Sequence, residues 1–311
     1  MKLLIIGAES QIGVALVALL TARAVSFEKI SFADAQATSA SDLEKRIRSQ
    51  QINYLVNVDH LDGFYAEGLS QKELEQRQVA LPQQLAKIAE AVEIPLLQIS
   101  DYQVFTGFSD KPYTEEDEPH AQTLYGITRW QGELSIQRFT HRYIILRVGT
   151  IFCEQGRNVL TILLNQWRQG QARELSSSLQ FSPTPTSDIA RVIYAILQQL
   201  DCNAPVWGIY HYCSADVATP YDFAEVLLAA RVQFVDIDNE IKIKAVPGSG
   251  ASKNKSRAAQ ATPTNTVLVC NKILNTFGIR QRPWRSELTR LVKKMATDKT
   301  VTSSAPSEKK S

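Results

Sequence analysis

The sequence predicts an α/β protein: a doubly wound parallel sheet with a smaller α/β unit on its C-terminal side. Three observations carry that prediction. Short apolar runs alternate with helix-period segments through the first half of the chain. A glycine-bearing turn joins the first apolar run to the first helical pattern. Beyond about residue 150 the alternation loosens into longer helical patterns with short strand-like pieces between them.

The elements follow in order. Residues 1–6 read as a buried strand and residues 11–22 as a helix. A polar helix at 41–49 precedes a second buried strand at 54–58. Helical spacing runs through 71–92, followed by an apolar strand at 95–100. A helix at 124–139 leads into a strand at 143–148. Strands separated by whole helices imply βαβ units and parallel pairing. The later part holds helical patterns at 158–169, 187–200, 221–231 and 284–295, with strand-like pieces at 208–213 and 240–246. This divides the chain into a dinucleotide-binding unit at 1–150 and a mainly substrate-binding unit at 151–295, some of whose segments complete the first sheet. Residues 248–263 read as a mobile loop carrying Lys253, Lys255 and Arg257, and 296–311 as a disordered tail.

Composition excludes several classes. The 311 residues are 44% hydrophobic and 21% charged, and 34 Lys and Arg against 32 Asp and Glu leave a net charge of +2. That balance gives no electrostatic reason for nucleic acid or a membrane surface as partner. No run approaches the roughly 20 apolar residues that span a bilayer. Cys153, Cys202, Cys213 and Cys270 form no CxxC pair, and the four histidines show no ligand spacing. Neither a disulfide framework nor a metal site is therefore expected, and a reducing cytoplasm fits. Lys2 ahead of an apolar run imitates a signal peptide, but Glu9, Ser10 and Gln11 interrupt it.

The glycine turn reads Gly7-Ala8-Glu9-Ser10-Gln11-Ile12-Gly13. Such a turn offers backbone N–H groups and the positive end of a helix to a pyrophosphate, so a Rossmann-type dinucleotide site is expected at Gly7, Ser10, Gln11, Ile12 and Gly13. Gly7 would make the tight turn and Gly13 the close helix–strand contact. The usual middle glycine is Ser10. After the second strand, the 25–34 region offers no clear reader of the ribose; Asp34 would favour NAD, and a solvated loop aspartate is the competing reading.

Tyr125-Gly126-Ile127-Thr128-Arg129, followed by Gly132-Glu133, carries the sharpest chemistry. Positions i and i+4 share a helix face, so a cation can sit one turn from a phenol that donates its proton to a carbonyl. Free tyrosine titrates near 10, and work near neutrality needs a shift of about 4 kcal/mol.

Upstream stand Ile99-Ser100-Asp101-Tyr102-Gln103-Val104-Phe105-Thr106-Gly107 and Pro112-Tyr113-Thr114-Glu115-Glu116-Asp117-Glu118-Pro119. Downstream are Gly208-Ile209-Tyr210-His211, Pro263-Thr264-Asn265-Thr266-Val267-Leu268, Phe277-Gly278-Ile279 and Pro283-Trp284-Arg285. In this order the segments resemble the extended short-chain dehydrogenase/reductases, and among them the dTDP-4-dehydrorhamnose reductase family, from residue 1 to about 295. The resemblance implies NAD(P)H-dependent reduction of a nucleotide-linked 4-keto sugar in dTDP-rhamnose synthesis. It implies NADP or NAD, with NADP slightly favoured, a dTDP-linked substrate, a homodimer and a Mg²⁺ requirement. Tyr125 becomes the proton donor, and Arg129 the activating cation and ribose ligand.

The departures from the family gather at this site. Arg129 replaces the lysine four residues after the tyrosine, and its planar fork is not a compact ammonium. The Ser or Thr that binds the carbonyl falls on Asp101 without a gap, or on Ser100 with a one-residue shift. An ionised Asp101 cannot donate a hydrogen bond, and beside Tyr125 it raises the phenol. Asp59 and His60 stand where small residues border the cofactor, Gln78 replaces an asparagine, Thr150 a tryptophan, and Ser178-Leu179 an Asp-Gln pair. A lone histidine in a strand, His211, reads as a packing residue, and 115–118 as a solvated loop with a family match to a lid. Three functions remain: the reductase, a non-catalytic binding or regulatory protein with a protein partner, or an enzyme of the same superfamily with a different substrate. The second is analogous to the regulatory subunit of methionine adenosyltransferase.

Overall fold

The computed structural model describes residues 1–60, 68–171, 173–202, 206–234, 241–247 and 263–303. The chain opens with β1 (Lys2–Ile6), α1 (Gln11–Ala22), β2 (Ser26–Ile30), α2 (Phe32–Ala37) and α3 (Ala40–Ser49). Then come β3 (Tyr54–Asn57), α4 (Gln71–Glu75), a π-helical turn (Gln76–Ala80), α5 (Leu81–Ala91) and β4 (Leu96–Asp101). A 3₁₀ turn (Tyr102–Val104) precedes α6 (Leu124–Phe139) and β5 (Tyr143–Val148). The later elements are β6 (Ile151–Phe152), α7 (Val159–Arg168), β7 (Arg173–Ser176), β8 (Thr184–Pro185) and α8 (Thr186–Asp201). They continue with β9 (Gly208–Tyr212), α9 (Pro220–Phe234), β10 (Ile243–Val246), α10 (Asn271–Phe277) and α11 (Trp284–Ser303).

The main sheet has six strands in the order β2-β1-β3-β4-β5-β9, all paired in parallel. Reversal of direction between β1 and β3 makes it doubly wound, as the alternation of strands and helices predicts. Side chains alternate across each strand, and both faces are covered. Leu3 and Ile5 pack with Ile12, Leu16 and Leu20 of α1 and Ile189 and Ile193 of α8. Leu4 and Ile6 pack on the opposite face with Leu43 and Ile47 of α3 and Leu81, Leu85 and Ile88 of α5. Each such leucine or isoleucine contributes about 1.5–3 kcal/mol by leaving water. A third apolar cluster joins Phe152, Leu160, Phe223, Leu227, Trp284 and Leu288, uniting α7, α9 and α11 beyond the sheet.

Several elements differ from expectation. The long helix over 71–92 is interrupted at Gln76–Ala80 by the π turn, which the close approach of α6 accompanies. β2 was not legible as a strand: Ser-Phe-Glu-Lys-Ile carries little apolar signal because it is an edge strand whose first four residues are not buried. α10 was likewise missed; Gly278, in the left-handed conformation at φ +67°, ends it. α11 continues to Ser303, so the tail does not begin at Ala296. Met295 packs on the third cluster, and its helix propagates beyond that anchor. Residues 304–311 and the loop at 248–262, with its Lys253, Lys255 and Arg257, lie outside the described residues.

A buried polar pair joins β5 to α6. Arg147 holds Glu133 of α6 through Nε at 3.0 Å and Nη2 at 2.6 Å. His211 of β9 is 0% exposed. Its Nδ1 faces the Tyr113 carbonyl at 3.3 Å and its Nε2 lies 3.4 Å from Arg147 Nη1. Nδ1–H therefore donates to the carbonyl, and the Nε2 lone pair faces the guanidinium: a neutral imidazole. Its backbone N–H donates to Glu115 Oε1 at 2.8 Å, so Glu115 is tied to the sheet rather than free in a solvated loop.

Burial, then the Arg147 charge, holds His211 well below its ordinary 6.5. The unfolded chain binds this proton more readily, so the stability contributed by neutral His211 is full above about pH 6.5. It is lost as pH falls from there towards the lowered folded value. We expect a loss of up to about 1.4 kcal/mol per pH unit just below that point, diminished in His211→Gln. Urea unfolding from pH 7.5 to 5 in both proteins checks it; superimposable pH profiles would show that His211 is not buried in the neutral state.

Candidate functional site

The glycine turn has the predicted shape. Gly7 adopts φ +74°, and a Cβ there would stand 2.6 Å from the backbone of Asp59, so only glycine allows the turn and the close approach together. Ser10 caps α1 by accepting from Gly13 N at 3.0 Å, and α1 begins at Gln11 and Ile12. Gly13 itself packs against Gly7 O. The Ser10 hydroxyl donates to the Val58 carbonyl at 2.5 Å, which ties the turn to the loop after β3. Beside it, the Gln11 amide side chain donates to Arg157 O at 3.1 Å.

The tyrosine helix enters the site through its N-terminal turn, where Thr123 caps Gly126 N at 3.1 Å. Tyr125 and Arg129 share the inner face and are both 4% exposed. Arg129 Nη2 donates to the Tyr125 oxygen at 2.8 Å, so the predicted one-turn pairing is present. The phenol's own proton goes elsewhere: Tyr125 donates to Asp101 Oδ2 at 2.5 Å. Asp101 also receives Gln103 N on Oδ1 at 2.8 Å, with His60 Nε2 at 3.2 Å and Arg129 Nε at 3.8 Å from Oδ2. Asp101, not Ser100, therefore stands against Tyr125. Successive strand residues face opposite ways, and the buried Ser100 hydroxyl has no side-chain partner here.

Electrostatics in the cluster follow from these contacts. Burial raises the Asp101 carboxyl, but His60, the Arg129 charge and the Tyr125 hydroxyl outweigh it, and the net position is below 3.8. Burial pushes the Tyr125 phenol well above 10; Arg129 opposes this and Asp101 adds to it. Desolvation alone would weaken Arg129 as a base, yet Tyr125 and Asp101 hold it firmly charged. The result is a closed Asp⁻–Arg⁺ pair with a neutral phenol between.

Asp59 and His60, in the loop after β3, were expected at a cofactor. In the structure Asp59 takes both Nε and Nη2 of Arg77, at 2.5 and 2.6 Å, and His60 turns towards Asp101. The Arg77 guanidinium also lies 4.1 Å over the Phe32 ring. Nothing local in sequence marks Arg77, which comes from the π turn 18 residues on. Gln78, from the same turn, accepts from the Thr128 hydroxyl. Among the described residues no group of three or more His, Cys, Asp and Glu side chains is disposed to hold a metal ion. No described helix is long and apolar enough to cross a membrane.

A parallel six-stranded sheet, a glycine turn after β1 and a tyrosine–cation helix define a protein of the extended short-chain dehydrogenase/reductase type. The family described as RmlD substrate binding domain matches residues 1–297, and the chain belongs to it. It is 26% identical over 289 residues to the dTDP-4-dehydrorhamnose reductase of Aggregatibacter actinomycetemcomitans, covering 92% of this chain and 97% of that protein. Methionine adenosyltransferase 2 subunit beta of Xenopus laevis is 28% identical over 214 residues, covering 67% of this chain and 60% of that protein. In fold, the chain is similar to a dTDP-4-dehydrorhamnose reductase from Clostridium acetobutylicum, with a TM-score of 0.79, 23% identity and coverage of 95% and 99%. The Bacillus anthracis reductase in complex with NADP gives 0.75 at 18% identity, with coverage of 93% and 98%.

Proposed function

We propose that this chain is a nucleotide-binding member of the family that does not reduce a 4-keto sugar and acts through association with a partner protein. One observation carries the reading: the Tyr125 proton is committed to the Asp101 carboxylate at 2.5 Å. A reductase of this family needs that proton for the sugar carbonyl, and the neighbouring Ser or Thr as a second donor. Here the second position is a carboxylate, which accepts only. A phenol raised well above 10 beside an anion is a poor acid near neutrality.

The two ends of a nicotinamide dinucleotide fit differently. The turn at Gly7 and the first turn of α1 suit a pyrophosphate, because the N–H groups and the helix dipole favour an anion there. The far end meets a cluster already paired within itself: Asp101 accepts from Tyr125 and faces Arg129, and His60 stands beside Asp101, all of them buried. A dTDP-linked sugar, NADP or NAD would therefore be held by its phosphates, with no hydride step. The likeness to methionine adenosyltransferase 2 subunit beta, a subunit by its name, supports the association reading.

A second reading keeps the reductase, favoured by the intact 2.8 Å contact between Arg129 and the Tyr125 oxygen. Calorimetry with NADPH, NADH and dTDP, followed by a turnover assay on dTDP-4-dehydrorhamnose with NADPH, separates the two. We expect micromolar binding of at least one nucleotide and no oxidation of NADPH above background. Turnover of about 10 s⁻¹, an ordinary enzyme rate, that disappears in Tyr125→Phe would establish the reductase instead.

A further inference from the structure

Cys213 and Cys270 lie far apart in sequence, yet their Sγ atoms are 3.7 Å apart. Both are free thiols and buried, at 1% and 5% exposure. Cys213 directly follows β9 and Cys270 directly precedes α10, so each sits at the end of a fixed element. The Cys213 N–H donates to Cys270 Sγ at 3.3 Å, and Gln281 Nε2 donates to Cys213 Sγ at 3.5 Å and to Cys213 O at 2.9 Å. These contacts turn the two sulfurs towards each other. Bonded sulfurs stand about 2.05 Å apart, so closure needs a shift of under about 2 Å, within reach of side-chain rotation.

We infer that Cys213 and Cys270 form a reversible dithiol–disulfide pair, closed by a peroxide, that pins the segment at 263–270 to the end of the sheet. The segment has a purpose in the fold that makes the pin consequential. Thr264 N and Asn265 N donate to Gly107 O at 2.8 and 3.0 Å. Tyr113 N donates to Val267 O at 2.9 Å, and Val269 N to Tyr113 O at 2.7 Å. Tyr113, with Thr106, Phe108 and His120, lines an open cavity of about 300 Å³ on this side of the molecule. The bridge would fix one wall of that cavity.

Cys213 is the attacking group. The Cys270 thiol hydrogen and the Gln281 amide hold its sulfur below the usual thiol value, while the Cys270 thiol is pushed well up. The Cys213 sulfur attacks one peroxide oxygen and the O–O bond breaks, leaving a sulfenic acid and, after one proton transfer, a water. The Cys270 sulfur then attacks the Cys213 sulfur. The S–O bond breaks, and hydroxide leaves as a second water with the Cys270 proton. Two thiols lose two electrons and one peroxide gains them; an external dithiol reverses the step.

The test uses the full chain carrying Cys202→Ser, which removes the exposed thiol. After hydrogen peroxide, denaturation and alkylation, we expect a loss of two hydrogens in mass and a peptide pair joined through Cys213 and Cys270. The thermal midpoint should rise by roughly 5 °C, because a long loop is closed in the unfolded chain. Dithiothreitol should undo both changes, and adding Cys270→Ser should abolish the midpoint rise. Full alkylation of both cysteines after peroxide treatment, or a bridge to Cys153 instead, would overturn the inference.

Discussion

Asp101→Ala is expected to lower stability by about 3–5 kcal/mol at pH 7, one of the two largest losses that a single change at this site can bring. Arg129 would remain buried at 4% exposure, and its nearest carboxylate, 3.8 Å from Nε, would be gone. Tyr125 would keep the Arg129 contact at 2.8 Å and lose its acceptor. An uncompensated guanidinium costs far more than the pair itself contributes, since both ions have already surrendered their hydration. The double exchange Asp101→Leu with Arg129→Met removes both charges together and should cost at least about 2 kcal/mol less than the single change. Urea unfolding of the two variants checks this. A loss below about 1 kcal/mol for Asp101→Ala would mean that Arg129 reaches water, and the closed cluster would then not describe the folded protein.

The same cluster shows which kinds of information a sequence carries. Tyr125 and Arg129 were legible because a helix converts a spacing of four into a shared face, a local rule that tertiary packing did not disturb. The glycine turn was legible for a similar reason: Gly7 and Gly13 mark backbone requirements rather than contacts. Ser100 and Asp101 could not be separated, because a one-residue shift moves every side chain of a strand to the other face, and only the pairing of β4 with β5 decides it.

Arg77 was not legible at all. Its pairing with Asp59 depends on the π turn that carries it back against the end of β3, and neither charge betrays a partner in sequence. Asp59 and His60 drew notice in the sequence for their bulk and charge, but their pairing with Arg77 and Asp101 was not legible there. The central strands announced themselves by continuous apolar runs, buried on both faces; β2, half-exposed at the edge, did not. The tail was started too early because apolar content measures anchoring, while a helix already nucleated can extend past its last anchor.

Gly132→Ala is expected to cost about 4 kcal/mol or to prevent folding outright. The residue lies on the buried face of α6, and a Cβ there would overlap the Gln78 carbonyl oxygen and stand tightly, at 3.1 Å, against its carbonyl carbon. Backbone cannot yield as a flexible side chain does. Relief would require α6 to withdraw from the π turn, and that movement would strain what the helix face carries: Thr128 on Gln78, Glu133 on Arg147, and Tyr125 on Asp101. In an ordinary exposed helix the same change would be stabilising by up to about 1 kcal/mol through reduced chain entropy, so the sign of the effect is itself diagnostic. Gly170, with φ +67° and open space around its Cα, supplies the contrast: Gly170→Ala meets only the conformational penalty, about 1–2 kcal/mol. Thermal and urea unfolding of the two variants side by side would decide. Equal losses would refute the close packing of α6 on the π turn, whereas a Gly132 loss at least twice that at Gly170 would locate the rigidity of the site in the backbone contact beneath it.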